Sequence, residues 1–343
     1  MKKFLLNLIA FVSIIVLINE ITSYFINPFN GAAGIEKKVE YIKNDTTTYN
    51  AILFGSSRLY RAFNPRIFDS VLATNNFMSY NLAAPGVTNP EVFYLLDNYI
   101  RVSSHKPEYV FLELISFDII KKKWNDVPKY FYWERIPYYS FCLQYILNSN
   151  DPLSLKSKLL WLHTKGLAYK NTRFPQFSSF FDIKPQKKYF GEDEQGYLPV
   201  EDTRGIGDEQ IEFRRERFNN TIKSLEIRRE NLTNEYSLEY DSTWLNPYYY
   251  TFLVDLIEEY ANKGIHIVYI IPPRADTFLQ EIALLHKLPS DHIIDMGNPI
   301  KYPEFYSEEY TFDKSHLNKE GAALFSQKFA KKFKKQILDI LSD

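Results

Sequence analysis

Ala51-Ile52-Leu53-Phe54-Gly55-Ser56-Ser57-Arg58 decides the fold. Its first four residues form an unbroken apolar run closed by a glycine, the pattern of a strand buried on both faces. Such strands belong to parallel sheets covered by helices, so the sequence around them should alternate strand and helix. It does. Phe77 to Leu82 reads as a second strand, closed by Ala84-Pro85-Gly86. Asn89-Pro90-Glu91 then supplies an N-cap, a proline at the first helical position and an acid in the first turn of a helix reaching about Val102. Tyr109 to Leu112 is a third strand. After a long interval Asn246-Pro247 opens another helix, with Phe252, Leu256 and Tyr260 at helical spacing and Gly264 as its stop. Ile265 to Ile271 and Ile293 to Asp295 read as strands. Ala322, Phe325, Phe329, Phe333, Ile337 and Ile340 stripe a C-terminal helix. The expected class is α/β, a three-layer sandwich with a parallel sheet flanked by helices.

The 343 residues suit one large or two modest domains, and a 45% hydrophobic content excludes global disorder. Lys+Arg 41 against Asp+Glu 42 leaves no basic excess, which argues against a nucleic-acid partner. The single Cys142 excludes an internal disulfide framework and any CxxC metal or redox site. Aromatic residues make up 17%, a composition that suits carbohydrate or lipid-facing surfaces as well as cores.

The amino terminus reads differently from the rest. Lys2 and Lys3 precede an apolar stretch, Phe4 to Ile18, with no small-x-small cleavage site after it. The expectation is a signal-anchor transmembrane helix over residues 1–26, lysines in the cytoplasm and the remaining chain outside. Residues 27–48 read as a linker, and 49–120 with 245–343 as the α/β domain. Residues 121–244, where the alternation breaks down, read as an aromatic-rich insertion containing Trp124, Trp133 and Trp161. Its charged helix near Gln210 to Asn234 reads as a solvated face.

There is no GxxxxGKS/T loop, HExxH, GxGxxG or GxSxG. Two short motifs remain. Ser57 stands at the carboxyl end of the first strand, where α/β sheets bind ligands and where a following helix offers its N-terminus to a developing oxyanion. Asp313-Lys314-Ser315-His316 places an acid three residues before a histidine, close enough for Asp313 to orient the imidazole toward an alcohol. Each motif also has a structural reading, since Ser57 or Asp313 could simply cap a helix. The other five histidines lack such a setting, and no ligand-spaced cluster for a metal is visible, so neither metal nor cofactor is expected.

Together the strand-Gly-Ser-Ser start, the Asn81-Leu82-Ala83-Ala84-Pro85-Gly86 turn and the closing Asp313-x-x-His316-Leu317-Asn318-x-x-Gly321 resemble the SGNH, or GDSL-type, hydrolase superfamily. The nearest likeness is to its membrane-anchored bacterial polysaccharide acyltransferases and esterases, and to the D-alanyl-transfer protein of teichoic acid modification. The resemblance covers about Tyr49 to Asp118 and Asn246 to Asp343 and implies an SGNH/flavodoxin-like sandwich. It implies Ser57 as nucleophile, His316 as general base, Asp313 as its orienting partner, and the amides of Ser57 and Gly86 in an oxyanion hole. The family's third block supplies an asparagine after the third strand; here Leu112-Glu113-Leu114-Ile115-Ser116 has none, so Ser116 or a backbone amide is expected in its place. The implied activity is extracytoplasmic acyl transfer or ester hydrolysis on cell-surface or extracellular polysaccharide. An acyl donor, a glycan acceptor and a multispanning membrane acyl-transfer protein are the implied partners. The alternatives are a plain lipid or carbohydrate esterase and a non-catalytic glycan-binding or assembly protein.

Overall fold

A computed structural model of the chain describes residues 2–23, 33–73, 76–115, 133–173, 189–202, 204, 208–220, 222–274 and 279–339. Five strands pair in parallel: β1 (Ala51–Phe54), β2 (Ser79–Asn81), β3 (Tyr109–Glu113), β4 (His266–Ile271) and β5 (Ile293–Asp295), in the order β2-β1-β3-β4-β5. The chain therefore steps from β1 to one side, then crosses back over it to β3. The order reverses between β1 and β3, the kind of switch point at whose carboxyl end parallel sheets bind ligands. β2 is shorter than the Phe77–Leu82 run, but Leu82 continues the pairing by donating its amide to Leu53 O at 2.8 Å.

Strand alternation divides the side chains between two helical layers. Leu53, Phe111 and Val268 are register partners on one face. There Phe111 meets Phe63, Phe68, Phe329 and Phe333, bringing the C-terminal helix Lys319–Phe333 down on the sheet beside helix Pro65–Val71. Phe54, Leu112 and Tyr269 are partners on the other face. Phe54 packs edge-on against Tyr99 of helix Glu91–Val102, and the Tyr269 hydroxyl donates to Leu253 O in helix Pro247–Ala261. Edge-to-face rings of this kind contribute about 0.5–1.5 kcal/mol a pair beyond the area they bury. The parallel sheet flanked by helices is thus as the apolar runs imply. Asn246 caps helix Pro247–Ala261 through its side chain, as its spacing predicts. Asn89 does not cap the helix after it. Its amide donates to Ile115 O at 2.6 Å, while Glu91 accepts from the Thr88 amide.

The expected membrane anchor requires correction. Lys2–Ser23 is a helix, and Phe4, Leu6, Ile9 and Phe11 on it are at least 60% exposed. Yet among the described residues no helix is long and apolar enough to cross a membrane. The Phe4–Ile18 run covers only about 22 Å at about 1.5 Å per residue, against about 30 Å of hydrocarbon, before Asn19 and Glu20 end it. The signal-anchor, the single-pass topology with an extracytoplasmic catalytic domain, and the membrane partners drawn from them therefore lack a structural basis. The stretch read as a linker holds a helix, Ala33–Asn44, that buries Ile35 and Val39. It also buries Lys38, whose Nζ donates to Asn81 O at 3.1 Å and Ala83 O at 2.7 Å and lies 4.0 Å from the centre of the Tyr60 ring.

Within 121–244 the described residues form helices Ile136–Leu147, Leu153–Arg173, Asp208–Asn219 and Lys223–Tyr236. Helix Asp208–Asn219 is mostly exposed, as its charges imply, and Arg215 ties it to the rest by donating to Thr311 O at 2.7 Å and Phe312 O at 3.2 Å. Trp124 lies outside the described residues.

Candidate functional site

Ser57 is the first residue of a short helix, Ser57–Ala62, that starts three residues after the end of β1. Ser56 is its N-cap: extended backbone, with Oγ accepting from the Arg58 amide at 3.2 Å. The far end of the helix is also held, because Asn81 Nδ2 donates to Leu59 O at 3.1 Å and Phe63 O at 2.8 Å. Ser57 is therefore presented at the carboxyl edge of the sheet on a helix fixed at both ends.

His316 reaches it from a separate piece of chain. The Asp313-x-x-His316 segment is not a helical turn but a tight antiparallel hairpin, β6 (Thr311–Asp313) and β7 (His316–Leu317), in which Asp313 and His316 are register partners. His316 Nε2 lies 2.9 Å from Ser57 Oγ, and Nδ1 lies 2.9 Å and 3.0 Å from the two Asp313 oxygens. Asp313 Oδ1 also accepts from the Ser315 and His316 amides at 2.8 Å and 3.0 Å, so the hairpin itself fixes the carboxylate. Burial alone would raise the Asp313 pKa. The hydrogen bond and charge of His316, with the Ser315 amide, outweigh it and hold the carboxyl below its usual value. An ionised Asp313 keeps a proton on Nδ1 and leaves Nε2 to accept the serine proton.

Gly86 follows β2 on the neighbouring strand, in the left-handed region at φ +78°, and its turn is tied to the serine turn by Ala84 N donating to Gly55 O at 3.1 Å. Ser116 lies outside the described residues. A group that sequence reasoning passed over stands beside the serine instead. Glu113, the last residue of β3, is 1% exposed and accepts from Ser56 N at 2.5 Å and Ser56 Oγ at 2.9 Å, with Arg58 Nη1 3.4 Å away. The signal was present, because a charge ending a buried parallel strand requires partners nearby.

Two cavities adjoin the hairpin. A recess of about 20 Å³, enough for about one water, is lined by Arg274, Tyr306, Asp313 and His316. Across the hairpin, where Phe312 points away from Asp313, a cavity of about 700 Å³ is lined by Glu201, Ile211, Arg215, Asn219, Phe312 and Asn318 among others. The structure also gathers a potential metal-ligand group unseen in the sequence: His266, Asp291 and His292 each offer an atom within 4.8 Å of the others. They sit at the start of β4 and just before β5, the sheet edge opposite Ser57. The imidazoles stack at 4.2 Å with 17° between their planes, so their in-plane lone pairs do not converge on one ion. No family model matches the chain, and no curated protein is similar to it.

Proposed function

We propose that this chain is a serine acyl-transfer enzyme of the SGNH kind, hydrolysing or transferring the acyl group of an ester through an acyl-serine intermediate. The observation that carries this reading is the unbroken line Ser57 Oγ–His316 Nε2, His316 Nδ1–Asp313, with both contacts at about hydrogen-bond length. Ser57 Oγ attacks the ester carbonyl carbon as His316 Nε2 takes its proton. The negative charge that develops on the carbonyl oxygen meets the amino end of helix Ser57–Ala62. Collapse breaks the bond to the leaving alcohol, which receives the proton from His316. Water or another hydroxyl then repeats the sequence against the acyl-serine and frees Ser57. Asp313 holds the imidazole in the required tautomer and steadies its charged form.

The test is to treat the full chain with a serine-reactive fluorophosphonate and, separately, a chromogenic acetyl ester. Intact mass should show one adduct on the wild type and none on Ser57→Ala, with ester turnover lost in parallel. A folded wild type that neither forms the adduct nor turns over ester overturns the proposal and leaves the fold as a non-catalytic scaffold.

A further inference from the structure

Glu113 touches the residues on either side of Ser57 without touching Ser57 itself. One carboxylate oxygen accepts from the Ser56 amide, the other from the Ser56 hydroxyl, and Arg58 approaches that second oxygen. The strand register makes this possible. Phe54 pairs with Leu112, so the residue after β1, Gly55, faces Glu113. A Cβ on Gly55 would sit 2.6 Å from Glu113 Oε2 and 3.0 Å from its Cβ. The glycine of the Gly-Ser-Ser motif is thus there to admit the carboxylate, since its own φ is not in the left-handed region. The Glu113 side chain is fully buried, yet its charge is met by Arg58 and by two Ser56 hydrogens, the condition under which a buried carboxylate is tolerated.

We propose that Glu113 is the positioning residue of this site: by gripping Ser56 and Arg58 it aims the hydroxyl and amide of Ser57. It does so from the end of the strand after which the resembled family carries an asparagine. The inference rests on the acyl-transfer reading above. Arg58 beside the carboxylate limits the repulsion its charge would exert on an oxyanion forming at Ser57. A displacement of about 1 Å at a reacting atom can cost about 10² in rate, and that is the scale at which Glu113 acts.

The experiment compares the wild type with Glu113→Ala, Glu113→Gln and Ser56→Ala in the full chain. It measures the rate of fluorophosphonate adduct formation at Ser57, together with kcat and KM for the acetyl ester. Counting only molecules able to form the adduct removes any loss of folded protein. Glu113→Ala should lower kcat and the adduct rate about 10²-fold while KM stays within about twofold. Glu113→Gln keeps an acceptor for the Ser56 amide and should recover the rate to within about tenfold of wild type. Ser56→Ala, which drops the hydroxyl contact to Glu113 together with the cap on the Arg58 amide but keeps the Ser56 amide on the carboxylate, should slow the reaction about tenfold and serves if Glu113→Ala does not fold. Variants that acylate at the wild-type rate per competent molecule overturn the inference while the proposed function stands. A wild type that never acylates overturns the proposed function instead.

Discussion

Two of the histidine–carboxylate pairs among the described residues have the same chemistry and different prospects. His316–Asp313 lies at the sheet edge, with side chains 13% and 16% exposed and the second ring nitrogen on Ser57. His163–Glu134, with Nδ1 to Oε1 at 2.8 Å, joins helix Leu153–Arg173 to the chain preceding helix Ile136–Leu147, and both side chains are 1% exposed. Burial alone would lower the His163 pKa. The neighbouring Cys142 sulfur and the Glu134 carboxylate outweigh it and push the imidazole up to about 10. The shift favours the protonated ring, which has no lone pair to offer as a base. A histidine beside an acid makes a base only where the second nitrogen is left neutral and faces a substrate path; buried, the same pair is a cross-link.

The comparison is broken most directly by truncating each histidine. His316→Ala should lower ester turnover by about 10³-fold or more while the thermal midpoint moves little. His163→Ala should do the reverse, costing about 1–3 kcal/mol because a buried hydrogen bond between His163 and Glu134 is lost from the interior, with Ser57 still acylated in the folded fraction. Adduct formation lost in His163→Ala but kept in His316→Ala would reverse the assignment. A smaller effect comes from Gly166, where an added Cβ would fall 1.9 Å from Glu134 Oε2. Gly166→Ala gains about 1 kcal/mol of helix propensity and should still lower the thermal midpoint by several degrees, because it pushes the carboxylate off His163. An unchanged or higher midpoint would show that the pair is not held rigidly.

A further effect is one of pH. A histidine whose pKa is raised on folding adds stability that is complete below its unfolded value, near 6.5, and is lost as pH rises toward about 10. The wild type should therefore lose stability across that window, and His163→Gln should lose less. Parallel slopes for the two proteins in urea titrations from pH 6.5 to 10 would refute the charged state of His163.

What could be read from the sequence was what each segment states by itself. β1, β3, β4 and β5 are continuous apolar runs bounded by glycine, proline or charge, and the structure places them within a residue or two of those bounds. Ser57, Asp313 and His316 stood out because each ends or follows a strand within a compact motif. What escaped reading needed a partner distant in sequence. Glu113 has no meaning until β3 lies beside β1, and His266 meets Asp291 and His292 only once β4 and β5 pair. Lysine normally reads as exposed, so Lys38 masked a packed helix as a linker, although Ile35 and Val39 are four residues apart on one face. At the amino terminus the reverse happened: hydropathy was legible, but the polar interruptions set the length of the run.

Lys38 has a practical consequence for where this domain begins. Burial, with Arg61 beside it, holds its amine well below the usual lysine range, so it serves as a hydrogen-bond donor to two carbonyl groups and not as a surface charge. Those carbonyls belong to Asn81 and Ala83, in the turn that leads to Gly86. Cutting the chain at Asp45 would bare them, along with the face of the Tyr60 ring, and loosen that turn next to the serine. The smallest fragment that keeps this edge of the sheet intact must begin before Ala33, and limited proteolysis of the native protein should spare the peptide bonds from 35 to 42.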